Sequence, residues 1–113
     1  MAEAVLSWPR RFGVYLVQLD PTVGSEIKKT RPCAVISPDE MNRSLRTVII
    51  APLTSGGRPY PSRIPVRFDD VDGSIALDQI RTVDRQRLIR RIGVLDTATA
   101  DQTLAALAAM FIQ

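Results

Sequence analysis

The chain has 113 residues, 45% of them hydrophobic and 24% charged, which is the composition of a folded protein rather than a disordered one. It carries one cysteine, Cys33, and no histidine, which excludes an internal disulfide, a zinc site of Cys and His ligands within one chain, and any Ser-His-Asp or histidine acid/base catalysis. The net charge is only +3, but the basic residues gather at Arg10-Arg11, at Lys28 to Arg31 and at Arg81 to Arg91, a distribution that suits either a polyanionic partner or a solvated surface.

In chain order, the first dozen residues include Trp8, Pro9, Arg10 and Arg11 but no apolar core of the length a secretion signal needs. No run is long enough to span a bilayer, so the expectation is a cytoplasmic protein with no membrane association. The length predicts one domain over residues 1–113. Phe12 to Leu19 is rich in β-branched and aromatic residues and reads as a first strand, and Cys33 to Ser37 as a second. Cys33 lies inside that apolar run without a histidine to activate it, so it reads as a small buried hydrophobe. Further strands are predicted at Thr47 to Leu53, Arg63 to Phe68 and Ser74 to Ile80. The turns between them fall at Pro38-Asp39, at Gly56-Gly57-Arg58-Pro59-Tyr60-Pro61 and at Asp70 to Gly73. Pro65 makes the fourth strand an edge, because proline cannot donate to a ladder. Closely spaced strands without long intervening helices predict a mainly β fold, a small antiparallel barrel or sandwich. The tail differs in kind. Asp96 or Thr99 can cap a helix, Thr99-Ala100-Asp101-Gln102 fits a capping box, and Leu104, Leu107, Ala108 and Phe111 recur on one helical face that would pack on the barrel.

The chemistry-bearing residues concentrate between the first two strands, where Gly24 to Pro32 sets Glu26, Lys28, Lys29, Thr30 and Arg31 in one loop. Loops held by rigid strands are where binding and catalysis concentrate. A second polar cluster, Asp78-Gln79, sits in the strand-like run Ile75 to Asp84, and the two clusters can meet at one site. Each residue also has a plainer reading. Arg31 can pair with Glu26, Thr54 can open the turn that follows it, Asp78 can brace a neighbouring loop, and Lys28 and Lys29 can be phosphate contacts or solvated charge. Aromatic residues make up 5% of the chain, so stacking platforms for a single-stranded nucleic acid are few: Trp8, Phe12, Tyr15, Tyr60 and Phe68.

The order Tyr15-Leu16-Val17-Gln18-Leu19-Asp20-Pro21-Thr22-Val23-Gly24-Ser25-Glu26, then Arg31-Pro32, Ala51-Pro52-Leu53-Thr54-Ser55 and Leu77-Asp78-Gln79-Ile80-Arg81-Thr82-Val83-Asp84, resembles the MazF/PemK family of toxin endoribonucleases. The resemblance runs from Phe12 into the C-terminal helix. It implies a small SH3-like β-barrel with a C-terminal α-helix, a homodimer, a cognate antitoxin protein that occupies the RNA groove, and cleavage of single-stranded RNA at short recognition sequences without metal or cofactor. Carried over by position, it implies catalytic roles for Arg31, Thr54 and Glu26, and RNA binding by Lys28, Lys29, Thr30, Ser55, Asp78 and Gln79. A subgroup of the family has arginine two residues before the Asp-Gln pair, where this chain has Ala76, so the resemblance points to the Arg/Thr form of the site. Two other readings stand beside it: a CcdB-like, non-enzymatic inhibitor of DNA gyrase, which lacks support in a chain ending Met110-Phe111-Ile112-Gln113 rather than Trp-Gly-Ile, and a family member that binds RNA or antitoxin without cutting.

RNA carries its own nucleophile, the 2′-hydroxyl, so a nuclease without metal ligands can work by assisting internal attack, giving a 2′,3′-cyclic phosphate and a 5′-hydroxyl. Such an enzyme needs positive charge on the non-bridging oxygens as the phosphorane forms, and a guanidinium supplies two donors in that geometry. Arg31 suits this role and Thr54 can orient the phosphate. Glu26, Arg31 or water can each move the proton.

Overall fold

The computed structural model describes residues 8–56 and 59–113. Among these, seven strands form one antiparallel sheet: β1 (Gly13–Gln18), β2 (Thr30–Val35), β3 (Thr47–Ser55), β4 (Arg63–Phe68), β5 (Val71–Ala76), β6 (Arg81–Asp84) and β7 (Leu88–Val94). Two helices, α1 (Asp39–Ser44) and α2 (Thr97–Met110), and short 3₁₀ turns at Leu77–Gln79 and Arg85–Arg87 complete the described chain. The strand order is β4-β5-β3-β2-β1-β7, and β6 also pairs with β3. The length of β3 follows from its partners: Thr47 to Ile50 pair with β6, Leu53 to Ser55 with β5, and Ile50 to Pro52 with β2.

The central strands are apolar at nearly every position because both faces of the sheet are covered. Alternate side chains point to opposite faces. Val14, Ala34, Ile36, Ala51 and Leu53 enter one buried cluster, while Tyr15, Val17, Cys33, Val35 and Ile50 enter another. Continuous apolar runs are what two-sided burial requires. Ala106 and Leu107 of α2 pack on the first cluster, and Ile27, from the loop after β1, packs on the second.

Several sequence expectations are corrected. The mainly β, barrel-like fold with a C-terminal helix is as expected, but its sheet stays open: among the described residues the path ends at β4 and β7 with no ladder between them. Phe68 at the end of β4 instead abuts Gly93 of β7, where an added Cβ would lie 2.6 Å from its ring. Pro65 does lie on an edge strand, β4. The turn read at Asp70 to Gly73 lies earlier, at Asp69-Asp70, where both residues have positive φ, +55° and +62°, and join Phe68 to Val71 as a two-residue hairpin loop. Gly73 is instead a strand residue opposite Ser55 and Val66. The strand read at Ser74 to Ile80 begins at Val71 and gives way to the 3₁₀ turn after Ala76. Pro38-Asp39 opens α1, whose buried Asn42 accepts from Ser37 Oγ and donates to the Ser37 carbonyl at 2.9 Å. Of the glycine- and proline-rich turn before β4, Gly57 and Arg58 lie outside the described residues.

Asp96 is the N-cap of α2, its Oδ1 accepting from the Thr99 backbone N–H at 2.7 Å, so the Thr99 box is not the start. The buried face is also shifted from the stripe expected. Ala100 and Thr103 are buried, Leu104 and Leu107 half-buried, but Ala108 is exposed and Phe111 is 74% exposed. The small side chains at 100 and 103 admit close approach, and the Thr103 hydroxyl is satisfied within the helix by the Thr99 carbonyl at 2.8 Å.

Candidate active site

The loop between β1 and β2 is held from several directions. Leu19 N–H donates to the Lys29 carbonyl at 3.0 Å, closing its base. Gln79 grips its middle with both ends of one amide, accepting from Ile27 N–H at 2.9 Å and donating to the Ser25 carbonyl at 3.2 Å. The two polar clusters of the sequence therefore do meet, and Gln79 is the clamp that joins them. Arg81 donates to the Leu19 carbonyl at 3.0 Å, and Arg87 to those of Gln18 and Asp20 at 3.0 and 2.6 Å. Arg85 donates to the Asn42 carbonyl. Much of the basic run from Arg81 to Arg91 thus braces the fold rather than forming an open cationic surface. Arg10 and Arg11 are likewise engaged: Arg10 stacks on Trp8 at 4.5 Å and approaches Asp39 at 3.9 Å, and Arg11 Nε donates to the Ile36 carbonyl at 3.0 Å. They precede β1, whereas Arg31 starts the antiparallel β2, so the two basic groups sit at opposite ends of the sheet.

Asp78 is held in place by charge. Arg63 donates to it through Nε at 2.6 Å and Nη2 at 2.9 Å, and Ser62 Oγ adds a third bond at 3.2 Å. The guanidinium holds its carboxyl below the usual carboxylate range. A depressed folded pKa contributes stability that is present above the unfolded value, about 3.9, and is lost as pH falls through the folded value. Asp78→Asn is therefore expected to lower stability at neutral pH by about 1 kcal/mol or less, given the partial exposure of the pair, and to flatten the acid limb of the unfolding curve. Thermal denaturation across acidic pH checks this, and identical acid limbs for both proteins would contradict it.

Glu26 does not pair with Arg31. Its Oε1 accepts from Val23 N–H at 2.6 Å, and among the described residues no ion pair joins it to a base. With Asp78, Gln79 and Arg81 it borders a hollow of about 350 Å³ whose polar groups are mostly satisfied by the protein itself.

A larger cleft of about 680 Å³ lies along the seam between the unpaired edges β4 and β7. Arg31 and Thr54 both line it. The β2–β3 register sets Cys33 opposite Pro52, and the same register continued two residues sets Arg31 against Thr54. Arg31 is half-buried, and its Nε donates to the Lys28 carbonyl at 3.0 Å. Among the described residues nothing engages its two Nη groups or the Thr54 hydroxyl. Ser55 stands at the exposed rim, while Lys28, Lys29 and Thr30 are exposed and lie outside the cleft lining. Leu16, Leu53, Val66, Phe68 and Ile92 give the cleft apolar walls. Asp69, Arg90 and Arg91 add charge. Ala76 is fully buried opposite Arg63.

Cys33 is fully buried and burial pushes its thiol up to about 12, so it is a packing residue rather than a nucleophile.

Arg90 and Arg91 escaped the sequence reading as site residues because β7 itself was not recognised. Leu88 to Val94 interrupts its apolar residues with two adjacent arginines, which strict alternation would send to opposite faces. The pairing with β1 is irregular on both sides of them: Tyr15 faces Arg91 and Leu16 faces Arg90, but Ile89 and Ile92 have no opposed residue. Bulges of this kind re-aim side chains, and here both arginines reach the cleft.

The model of the PemK-like, MazF-like toxins of type II toxin-antitoxin systems matches residues 10–111. Among solved structures, MazF of Deinococcus radiodurans superposes with a TM-score of 0.80 at 20% identity, over 93% of this chain and 97% of that one. An endoribonuclease from a mycobacterial species, solved with its cognate antitoxin, gives 0.76 at 25% identity, over 89% and 92%. The Mycobacterium tuberculosis toxin MazF-mt6 gives 0.74 at 22% identity, over 88% and 95%. With the family model spanning nearly the whole chain and the fold shared over 93% of it, this protein belongs to the PemK-like, MazF-like toxin family of type II toxin-antitoxin systems.

Proposed function

We propose that this chain is a metal-independent, sequence-selective endoribonuclease that cleaves single-stranded RNA, messenger RNA in the first instance, and so arrests translation and growth. The observation that carries the reading is that Arg31 and Thr54 line one apolar-walled cleft, with no bond to the Arg31 Nη groups or the Thr54 hydroxyl among the described residues. The 2′-oxygen of the nucleotide 5′ to the cut attacks its own phosphorus and the bond to the 5′-oxygen breaks. The products are a 2′,3′-cyclic phosphate and a 5′-hydroxyl. Arg31 donates to the non-bridging oxygens as their charge grows, and its Nε bond to the Lys28 carbonyl keeps the guanidinium plane fixed, so little reorganisation is needed at the moment of reaction. Thr54 contributes a neutral donor from the facing strand. Arg90 at the same cleft supports the electrostatics of binding. The proton of the 2′-hydroxyl leaves to water or to an ionisable group of the site, with Glu26 lining a separate hollow, and the departing 5′-oxygen takes up a proton from water to leave as the hydroxyl.

The chain acts, on this reading, as a homodimer neutralised by an antitoxin that covers the cleft RNA uses; the mycobacterial relative solved with its antitoxin supports the partner class. Incubation of the purified protein with total RNA in excess chelator, followed by mapping of new 5′-hydroxyl ends, tests it. Discrete ends at a short recurring sequence are expected. Intact RNA, or 5′-phosphate ends, would reject the proposal.

A further inference from the structure

A phosphodiester needs donors and positive charge, and neither explains why the cleft is walled by Leu16, Leu53, Val66, Phe68 and Ile92. An apolar recess of about 680 Å³ beside a phosphate site has the size and lining for a planar group, and RNA-binding proteins read single strands by splaying bases into such recesses and bonding their Watson–Crick edges. Phe68 is fixed there by fold geometry: its Cε1 and Cζ occupy the space a side chain at residue 93 would need, 2.6 and 2.9 Å from where a Cβ would stand. The next residue, Asp69, is the one carboxylate among the described residues that lines the cleft. It is exposed, held at φ +55° in the two-residue turn, and no hydrogen bond or ion pair among the described residues engages it. A carboxylate so placed contributes nothing to binding phosphate and opposes it. Its φ serves the turn, and its side chain is left to meet donors on the ligand.

The geometry points to Asp69 as a base-reading residue, with the cleft holding one splayed base of the RNA against Phe68 and selecting guanine. Matching hydrogen-bonding edges decide the choice. An ionised carboxylate only accepts, through two oxygens. Guanine presents two adjacent donors, N1–H and the N2 amino group, which a carboxylate meets in bidentate fashion. Adenine and cytosine each offer one amino group beside a ring-nitrogen acceptor that repels the second oxygen. Uracil offers one N–H flanked by two carbonyls. Stacking favours the larger purine in the same direction. The inference rests on the ribonuclease reading only in taking RNA as the ligand, since base selection is a property of binding and is measurable without cleavage.

The test uses the whole protein and fluorescent oligonucleotides made uncleavable by 2′-methoxy sugars, identical except for one position carrying guanine, inosine, adenine or uracil in a uridine background, with affinity read by anisotropy at fixed salt. Wild-type protein is expected to bind the guanine oligonucleotide roughly tenfold or more tighter than the inosine one, which lacks only the N2 amino group. Asp69→Asn is the informative variant because asparagine adopts positive φ readily, so the turn survives. It should bring the guanine-to-inosine ratio close to one. Equal affinity of the wild type for all four oligonucleotides, or an unchanged ratio in Asp69→Asn, would overturn the assignment. If Asp69→Asn leaves the ratio intact but slows cleavage of every unmodified RNA alike and removes a limb of the pH–rate profile, Asp69 is a proton acceptor and not a reader of bases. Selective binding without any cutting of unmodified RNA would leave the base-reading site standing and reject the ribonuclease reading instead.

Discussion

Arg31→Ala is expected to lower the rate of RNA cleavage by two to three orders of magnitude, roughly 3–4 kcal/mol of lost transition-state stabilisation, while leaving the protein folded. The separation of the two effects follows from position. Arg31 is half-buried at the start of β2, its side chain enters neither core cluster, and among the described residues the one bond of that side chain is from Nε to the Lys28 carbonyl. Truncation therefore removes a donor from the cleft without opening a cavity in the core. Arg31→Lys is expected to remain poor, since an ammonium cannot reproduce two parallel donors. Single-turnover cleavage of a defined RNA, alongside thermal denaturation of each variant, gives both readings. A folded Arg31→Ala protein that cuts at a near-normal rate would remove Arg31 from the mechanism.

Gly73→Ala is expected to be among the most disruptive single-methyl changes in the protein. The β3–β5 ladder sets Gly73 opposite Ser55, and an added Cβ would stand 2.1 Å from the Thr54 carbonyl oxygen and 3.1 Å from its carbon. Those atoms are backbone, so no side chain can swing aside. The two strands must separate, which carries the overpacking cost of about 3 kcal/mol together with weakened ladder bonds, and a fall in Tm on the order of 10 °C. Because the displaced residue is Thr54, cleavage measured below the new Tm should fall as well. A variant as stable and as active as wild type would show that β3 and β5 do not approach this closely.

Gly73 also illustrates what a sequence conceals. In sequence it sits after Asp70-Val71-Asp72 and reads as turn chemistry. In the fold the turn needs no glycine, since Asp69 and Asp70 adopt positive φ themselves, and Gly73 is needed for clearance from a neighbouring backbone. Clearance is a tertiary property and leaves no local signature. β1 and β3 were legible because two-sided burial leaves continuous apolar runs in them, whereas the strand read at Cys33 to Ser37 is β2 at Thr30–Val35: its exposed Thr30 and half-buried Arg31 and Pro32 read as loop, and only Cys33 to Val35 carry the buried apolar signal. β7 was not, because its bulges break the alternation by which a strand is recognised. The start of α2 was legible from Asp96, but its phase was not: a segment rich in alanine and leucine offers several stripes of similar apolarity, and the sheet selected the one whose residues at 100 and 103 are small. Arg31 and Thr54 were both legible as candidates from motif order. That they share a cleft depends on the β2–β3 register, and that Arg90, Arg91 and Asp69 join them depends on the open seam between β4 and β7.

The nucleophile is the point on which the account of cleavage turns. A chain without histidine, whose described residues include no cluster of three or more Asp, Glu or Cys groups able to hold a metal, has an arginine and a threonine facing the same cleft. The attacking oxygen assigned to it is the substrate's own. The direct measurement is cleavage, in excess chelator, of an RNA oligonucleotide containing a mapped cut site, compared with the same oligonucleotide carrying a single 2′-deoxy sugar on the 5′ side of that cut. The account predicts full cleavage of the first to a 2′,3′-cyclic phosphate and a 5′-hydroxyl, and binding without cleavage of the second. Efficient cutting of the deoxy-substituted strand, or cleavage of the unmodified strand only when magnesium is restored, would contradict it.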